Sequence, residues 1–352
     1  MFEQQRPDGD LDPAYEVLTN EVPRRGHRRT TWLTVAAAGI LAATAFTVTH
    51  HGGHRTQPAS APAPSVTVVG PTGALILVGA DGRRRLMPNV KLTAPIALSP
   101  DGRKVAYVGI GAGGDEGLWV ADSDGSNAGQ LPLCRRCVPG WGLDWSHDGT
   151  RLAFMTSRPG EPTWQIRVRI LATGSELEFE RRGVLSDVAF SADDDRLAFV
   201  VVGSHRPVVA TMDIGQGLSS LHTVSPPHRA IQTPAWSADG TAIYYTASDA
   251  KPYARWDGDS PLDLLRVSDV YALDLGTGRE RSITHAATGE RYYTVHRYGT
   301  RLLTIHSIHN GDTATGWLSP DGSSFEPLLD ARGQLVAGAS AEPLAGVDGT
   351  GR

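Results

Sequence analysis

The sequence is short of what many enzymes and nucleic-acid binders carry. It has no G-x-S-x-G nucleophile elbow, no H-E-x-x-H, no P-loop and no dinucleotide-binding glycine fingerprint, which removes the activities those motifs mark. Basic residues are in deficit, 33 Lys and Arg against 38 Asp and Glu for a net charge of -5, so nothing points to nucleic acid. Long helical periodicity is missing after residue 50, and aromatics make up only 7% and charged residues 20% of the chain, beside 40 Gly and 23 Pro. Many turns and little helix favour an all-β protein of short strands.

One long hydrophobic run is present. Thr31 to Thr49 is uncharged, close to the roughly 20 residues that a helix needs to cross about 30 Å of hydrocarbon. Arg24, Arg25, Arg28 and Arg29 precede it and Arg55 alone follows nearby, which puts the N-terminus in the cytoplasm. The run exceeds a signal-peptide core of about 7–15 residues, so we expect a retained, single-pass signal anchor over 30–49. Residues 1–29, polar and interrupted by Pro7, Pro13 and Pro23, are expected to be a disordered cytoplasmic tail. Residues 50–65 are a Pro/Ala-rich spacer, and its His50, His51 and His54 read as incidental rather than as metal ligands. The alternative is a cleaved signal, with "ASAPA" at 59–63 as the processing site and "RRTTWL" at 28–33 resembling a twin-arginine signal. Both readings place 66–352 outside the cytoplasm, and the retained anchor places it at the cell membrane.

What the remainder does have is a repeat. "ALSPDGRKVAYV" (97–108), "DWSHDGTRLAFM" (144–155), "AFSADDDRLAFV" (189–200) and "AWSADGTAIYYT" (235–246) carry their serines at Ser99, Ser146, Ser191 and Ser237. Steps of about 46 residues made of short strands signal a propeller blade. Asp101, Asp148 and Asp239, followed by Gly102, Gly149 and Gly240, suit a tight turn between strands. In the third copy Asp194 stands where Gly is otherwise found, so it is expected to take φ > 0. A second signature, a hairpin such as "LWVADSDGSNAGQLP" (118–132) or "VYALDLGTGRERSI" (270–283), follows each copy. The same hairpin appears at 74–87 without its partner phrase and again at 315–329, and 293–305 is a worn first signature whose His296 lies 59 residues beyond Ser237. Residues 66–352 then hold about six units, and 333–346 is expected to add a strand to the first of them and close the ring.

These phrases resemble the TolB-type propeller repeat, W-S-P-D-G-x-x-[IL]-[AV]-[FY], over residues 66–330. The resemblance implies a six-bladed β-propeller of four-stranded blades that acts without catalysis or cofactor, binding other proteins through one face or its channel. No α/β domain precedes the repeats here, so a role like that of TolB itself is not expected. The expected work is that of a monomeric platform for another envelope protein or an anionic surface polymer. Alternatives are a glycan or small-ligand sensor at the channel mouth and an envelope hydrolase or lyase.

Candidate contacts lie in the connections between blades. Arg135, Arg136, Trp141, His228, Arg229, Arg291 and Tyr292 would make one mouth basic and aromatic. The long insertion 250–269 offers Tyr253, Trp256, Asp257 and Asp259. Cys134 and Cys137 form a C-x-x-C whose plain reading outside the cytoplasm is a local disulfide, with a redox pair or half of a zinc site, completed by a histidine such as His228, as alternatives. The acidic turn "SADDD" reads as solvated, not as a calcium site, and no metal is assigned.

Overall fold

The computed structural model describes strands 65–69, 75–79 and 84–86, then 92–329 apart from 111–115, 124, 135, 203–205, 250–267, 288–289, 299 and 308–312, and finally 346–347. The tail, the anchor and the spacer to residue 64 lie outside the described residues. Among the described residues no helix is long and apolar enough to cross a membrane.

The described chain is a propeller of consecutive antiparallel sheets with one short 3-10 turn. A first sheet of three strands holds β1 (Ser65–Val69), β2 (Leu75–Gly79) and β3 (Arg84–Leu86). The first blade follows as β4 (Leu92–Leu98), β5 (Lys104–Ile110), β6 (Glu116–Asp122) and β7 (Gly129–Leu131). The second is β8 (Val138–Trp145), β9 (Arg151–Ser157), β10 (Thr163–Ile170) and β11 (Glu176–Arg182), and the third is β12 (Val184–Phe190), β13 (Arg196–Val202), β14 (Pro207–Asp213) and β15 (His222–Thr223). The fourth is β16 (Ala230–Trp236), β17 (Ala242–Ser248), β18 (Asp269–Asp274) and β19 (Glu280–Ser282), and the fifth is β20 (Arg291–Tyr298), β21 (Arg301–Ser307), β22 (Thr313–Leu318) and β23 (Phe325–Pro327). A last strand, β24 (Gly346–Val347), pairs in parallel with β4.

Two expectations are corrected here. Among the described residues five blades carry four or more strands instead of six: the hairpin at 74–87 has no Ser-Asp-Gly phrase to supply an inner hairpin, and its sheet holds three strands there. The C-terminal strand joins the blade of β4, not the β1–β3 sheet. The described part of that strand, Gly346–Val347, pairs in parallel with β4 at Ala97 and Leu98, and residues 333–345 lie outside the described residues.

Within a blade the first signature makes the inner strand, the turn and the second strand. The serine hydroxyl organises that turn twice over. Ser146 Oγ donates to Asp148 Oδ1 at 2.6 Å and accepts the Arg151 N–H at 2.8 Å; Ser99, Ser191 and Ser237 repeat the pattern. The donated hydroxyl stabilises the charged carboxylate, and Asp239 is pushed down to about 2, first by Ser237 and then by Thr241. Gly102, Gly149 and Gly240 sit at φ 67, 70 and 69°, and Asp194 adopts 60°, as expected for the residue that replaces glycine.

The cores lie between blades. Alternate residues of β9 face opposite ways: Leu152 and Phe154 pack with Ala97, Ala106 and Leu118 of the first blade, while Ala153 and Met155 pack with Leu185, Phe190 and Phe199 of the third. Both faces of a middle strand are buried, so it reads as a continuous apolar run. The tryptophan that opens the repeated phrase fixes the neighbour. Trp145 Nε1 donates to the Ala97 carbonyl at 3.1 Å and Trp236 Nε1 to the Ala189 carbonyl at 3.3 Å, each reaching the preceding blade.

Trp145→Phe deletes one such inter-blade bond and part of a fully buried ring. We expect a loss of about 2 kcal/mol, read as a lower urea midpoint at unchanged slope.

Candidate functional site

The inner strands β4, β8, β12, β16 and β20 stand side by side around a central channel. Each is broken by a register shift two or three residues before its terminal turn: at Leu92/Ile96, Pro139/Leu143, Ser186/Val188, Gln232/Ala235 and Tyr292/Val295. Such bulges re-aim side chains, and here the re-aimed residues line the channel. Pro95, Trp141, Asp144, His147, Asp187, Thr233 and Arg297 are among its walls, which enclose about 50 Å³. That volume holds a water molecule or two.

Two wall residues adopt a backbone conformation that L side chains avoid. Asp187 has φ 50° and Thr233 φ 46°; for a β-branched residue this is a true outlier. They are linked, since the Thr233 N–H donates to Asp187 and Thr233 Oγ1 accepts the Val295 N–H at 3.0 Å. Three blades are thereby joined across their bulges. Asp187 keeps some opening to the channel, yet the surrounding walls withhold enough water to push its carboxyl up to about 6, against the lowering effect of the Ser186 and Thr233 hydrogen bonds.

At the turn end the channel is crossed by side chains. Asp194 Oδ1 accepts the His147 N–H at 2.7 Å and faces His147 Nδ1 at 2.9 Å, while its Oδ2 accepts the Asp148 N–H at 3.0 Å. On the other side of the ring Arg297 donates to His147 Nε2. A guanidinium can only donate, so His147 carries its proton on Nδ1 and offers Nε2 as acceptor. Asp194, His147 and Arg297 come from the third, second and fifth blades. Asp144 adds a further link by accepting the Phe190 N–H at 2.7 Å.

The sequence reading missed this group, although a signal was there. Strand register pairs His296 with Leu303 and Arg297 with Leu302, as Trp236 pairs with Ile243 and Ser237 bonds Ala242. Arg297, not His296, therefore occupies the serine's place in the worn copy, which shifts the alignment by one. His147 stands where other copies have Pro100, Ala192 and Ala238, and Asp194 where they have glycine. The departures from the repeat meet in space.

The residues singled out from the sequence are placed differently from one another. Trp141 lines the channel and is 53% exposed. Arg136 and Arg229 are exposed and Arg291 is half-buried, none of them lining the channel. His228 is buried, with Nδ1 3.0 Å from Asp249 and Nε2 2.9 Å from Glu280 and its ring against Tyr271. With both nitrogens taken, it is a structural ion pair and not a loop contact or a partner for the cysteines. Tyr292 is likewise buried, stacked on His306 with centroids 4.4 Å apart, and burial pushes its phenol up to about 12. These two are corrections: apolar packing under the connections outweighs their polar ends. Arg135, Tyr253, Trp256, Asp257 and Asp259 lie outside the described residues. Cys134 and Cys137 are joined in a disulfide with Cα atoms 5.2 Å apart, beside Gln165 and the buried Arg167 that bonds Glu176 and Glu178. The acidic turn is spent on hydrogen bonds, Asp193 with Ser191 and Asp194 with the second blade. Among the described residues no group of three His, Cys, Asp or Glu is arranged to hold a metal.

Two pH dependences follow. Burial works against charge on His228, but Glu280 and Asp249 outweigh it and raise its pKa above the ordinary imidazole value. Its contribution is full below about pH 6.5 and lost as pH rises through the higher folded-state value. His228→Gln should thus cost more stability at pH 5.5 than at pH 9, measured by chemical denaturation. Asp187 has the opposite consequence: its folded carboxyl is raised, so stability falls as pH rises from about 4 to 6. Asp187→Asn, which tolerates the same backbone, should gain about 2–3 kcal/mol at pH 8 and almost nothing at pH 3.5.

No family model matches the sequence and no curated protein matches it. Solved structures do share the fold. TolB from Acinetobacter baumannii matches with a TM-score of 0.49 at 19% identity, over 70% of this chain and 61% of that one, so the chain spans about three fifths of that protein's length. A chain of a nidogen/laminin complex matches with a TM-score of 0.54 at 10% identity, over 80% of this chain and 97% of that one. An acylaminoacyl peptidase in complex with Z-Gly-Gly-Phe-chloromethyl ketone matches with a TM-score of 0.50 at 12% identity, over 75% of this chain and 43% of that one. At these identities the likeness is one of fold, and the chain is a β-propeller.

Proposed function

We propose that the protein is a membrane-anchored, extracytoplasmic binding propeller that presents its channel mouth to another envelope protein and performs no catalysis. The observation that supports this reading is the convergence of the repeat's departures, His147, Asp194 and Arg297, on one end of the channel. Asp194 and His147 have the spacing of a carboxylate–imidazole base, but the nitrogen such a base would use accepts a hydrogen bond from Arg297. A cavity volume of about 50 Å³ is well below the roughly 150 Å³ of a cavity that takes up benzene, which argues against a sugar ring seated within the channel. A protein can dock over the mouth and insert a single side chain. Trp141, large and half-exposed at that mouth, is the kind of anchor on which binding energy concentrates.

Site-specific photo-crosslinking in intact cells tests this. A benzophenone amino acid in place of Trp141 of the full-length protein should give one discrete protein adduct. The same group at Leu177, exposed on the outer strand β11, should give none. Absence of an adduct at 141, or equal adducts at both positions, would overturn the docking reading.

A further inference from the structure

The channel wall holds a carboxylate with no cationic partner among the hydrogen bonds that fix it. Asp187 is the bulged residue of β12, held in a left-handed backbone conformation with its carboxyl on the channel. Its hydrogen bonds come from Ser186 and the Thr233 N–H, both neutral. The next bulge along the ring, in β8, carries Trp141, also on the channel. The two bulges are pressed together: a Cβ on Gly142, beside Trp141, would stand 3.0 Å from the nitrogen of Val188, beside Asp187. An exposed indole and an anionic oxygen thus flank one small opening.

We infer that this mouth is a binding site for a single cationic head group, a lysine ammonium or an arginine guanidinium, with the Asp187 carboxylate as its counter-ion and the Trp141 indole against it. The inference rests on reading the channel as the docking site. Size agrees with it, since about 50 Å³ admits one such head group and excludes a ring. Chemistry agrees as well, because a partly desolvated carboxylate gains most from a cation that replaces its lost water, and an indole face attracts cations. Of the other charged and titratable groups among the described residues that line the channel, Asp144 adds negative charge, His147 and His296 bear ring nitrogens, and Arg297 is the opposing cation. Arg297 donates to His147, which in turn faces Asp194 at the turn end, so its charge is drawn towards that carboxylate and away from the bulges.

The test uses the full-length protein, labelled with nitrogen-15 at its tryptophan indoles, and four salts at equal ionic strength: methylammonium chloride, methylguanidinium chloride, sodium chloride and sodium acetate. At pH 7.5 the methylated cations should shift the Trp141 indole signal saturably, whereas sodium chloride and acetate should not. Asp187→Asn should weaken that binding at least tenfold, and so should lowering the pH to 5, where Asp187 takes up its proton. Trp141→Leu, at an exposed position that folding tolerates, should weaken it several-fold when followed through the Asp187 carboxyl carbon. Saturable binding of acetate, no saturable shift with either cation, or a D187N variant that binds as well as the parent would overturn the proposal. Should cations fail while crosslinking from position 141 still captures one protein, the cation site falls and the docking reading stands; should cations bind without any crosslink, the reverse holds.

Discussion

A blade of this protein cannot bury its own faces; it needs a neighbour on each side, and the bond that sets neighbour against neighbour is made at the end of the inner strand. There the indole of Trp145 or Trp236 reaches back to the carbonyl of Ala97 or Ala189, and a serine–aspartate turn turns the chain outward. Everything else in the ring follows from that joint. With the inner strands fixed side by side, the alternating faces of the middle strands meet as layers such as Leu152 and Phe154 against Leu118, or Met155 against Phe199. The indole bond is made in the second and fourth blades, the serine–aspartate turn recurs about every 46 residues, and the blades without the indole are held by the packed faces of their neighbours.

That redundancy is what lets individual copies depart. In the fifth blade Arg297 holds the serine's place and closes no turn with a hydroxyl; its guanidinium instead crosses the ring to His147. In the third blade Asp194 accepts the conformation of a glycine and uses its carboxylate to tie down the turn of the second. The fifth blade gives up the hydroxyl contact of its turn for a distant one, whereas the third keeps its serine turn and adds the distant contact. The repeat supplies stability and the exceptions supply the channel its character.

The same reasoning explains what was legible in advance. The Ser-x-Asp-Gly phrase dictates a turn by local chemistry, so the blade strands, their order and even the left-handed Asp194 could be read from the residues alone. The blade count and the pairing of 346–347 with β4 could not, because they depend on which strands pair in space: the hairpin at 74–87 lacks the phrase that supplies an inner hairpin, and no local pattern marks β4 as a partner for residues about 250 positions away. Nor could the burial of His228 and Tyr292, whose polar ends suggested a mouth: a histidine between Asp249 and Glu280 reads as a surface loop until strands 52 residues apart are brought together. Arg297 was hidden by a one-residue slip in a worn copy, which turns a side chain to the opposite face.

The bulges remain the part of the ring that packing alone does not account for. A regular inner strand would satisfy its ladder, avoid a left-handed threonine at 233 and leave no carboxylate in apolar walls, yet all five inner strands are interrupted at nearly the same level. Strain of this kind persists only where surrounding structure over-determines it. Here the chain from Asp187 through Thr233 to Val295 does so, spending one blade's irregularity to position the next. A raised carboxyl at the end of that chain is a standing cost to the folded state at neutral pH, and in the proposal above a cation that replaces its lost water offsets that cost.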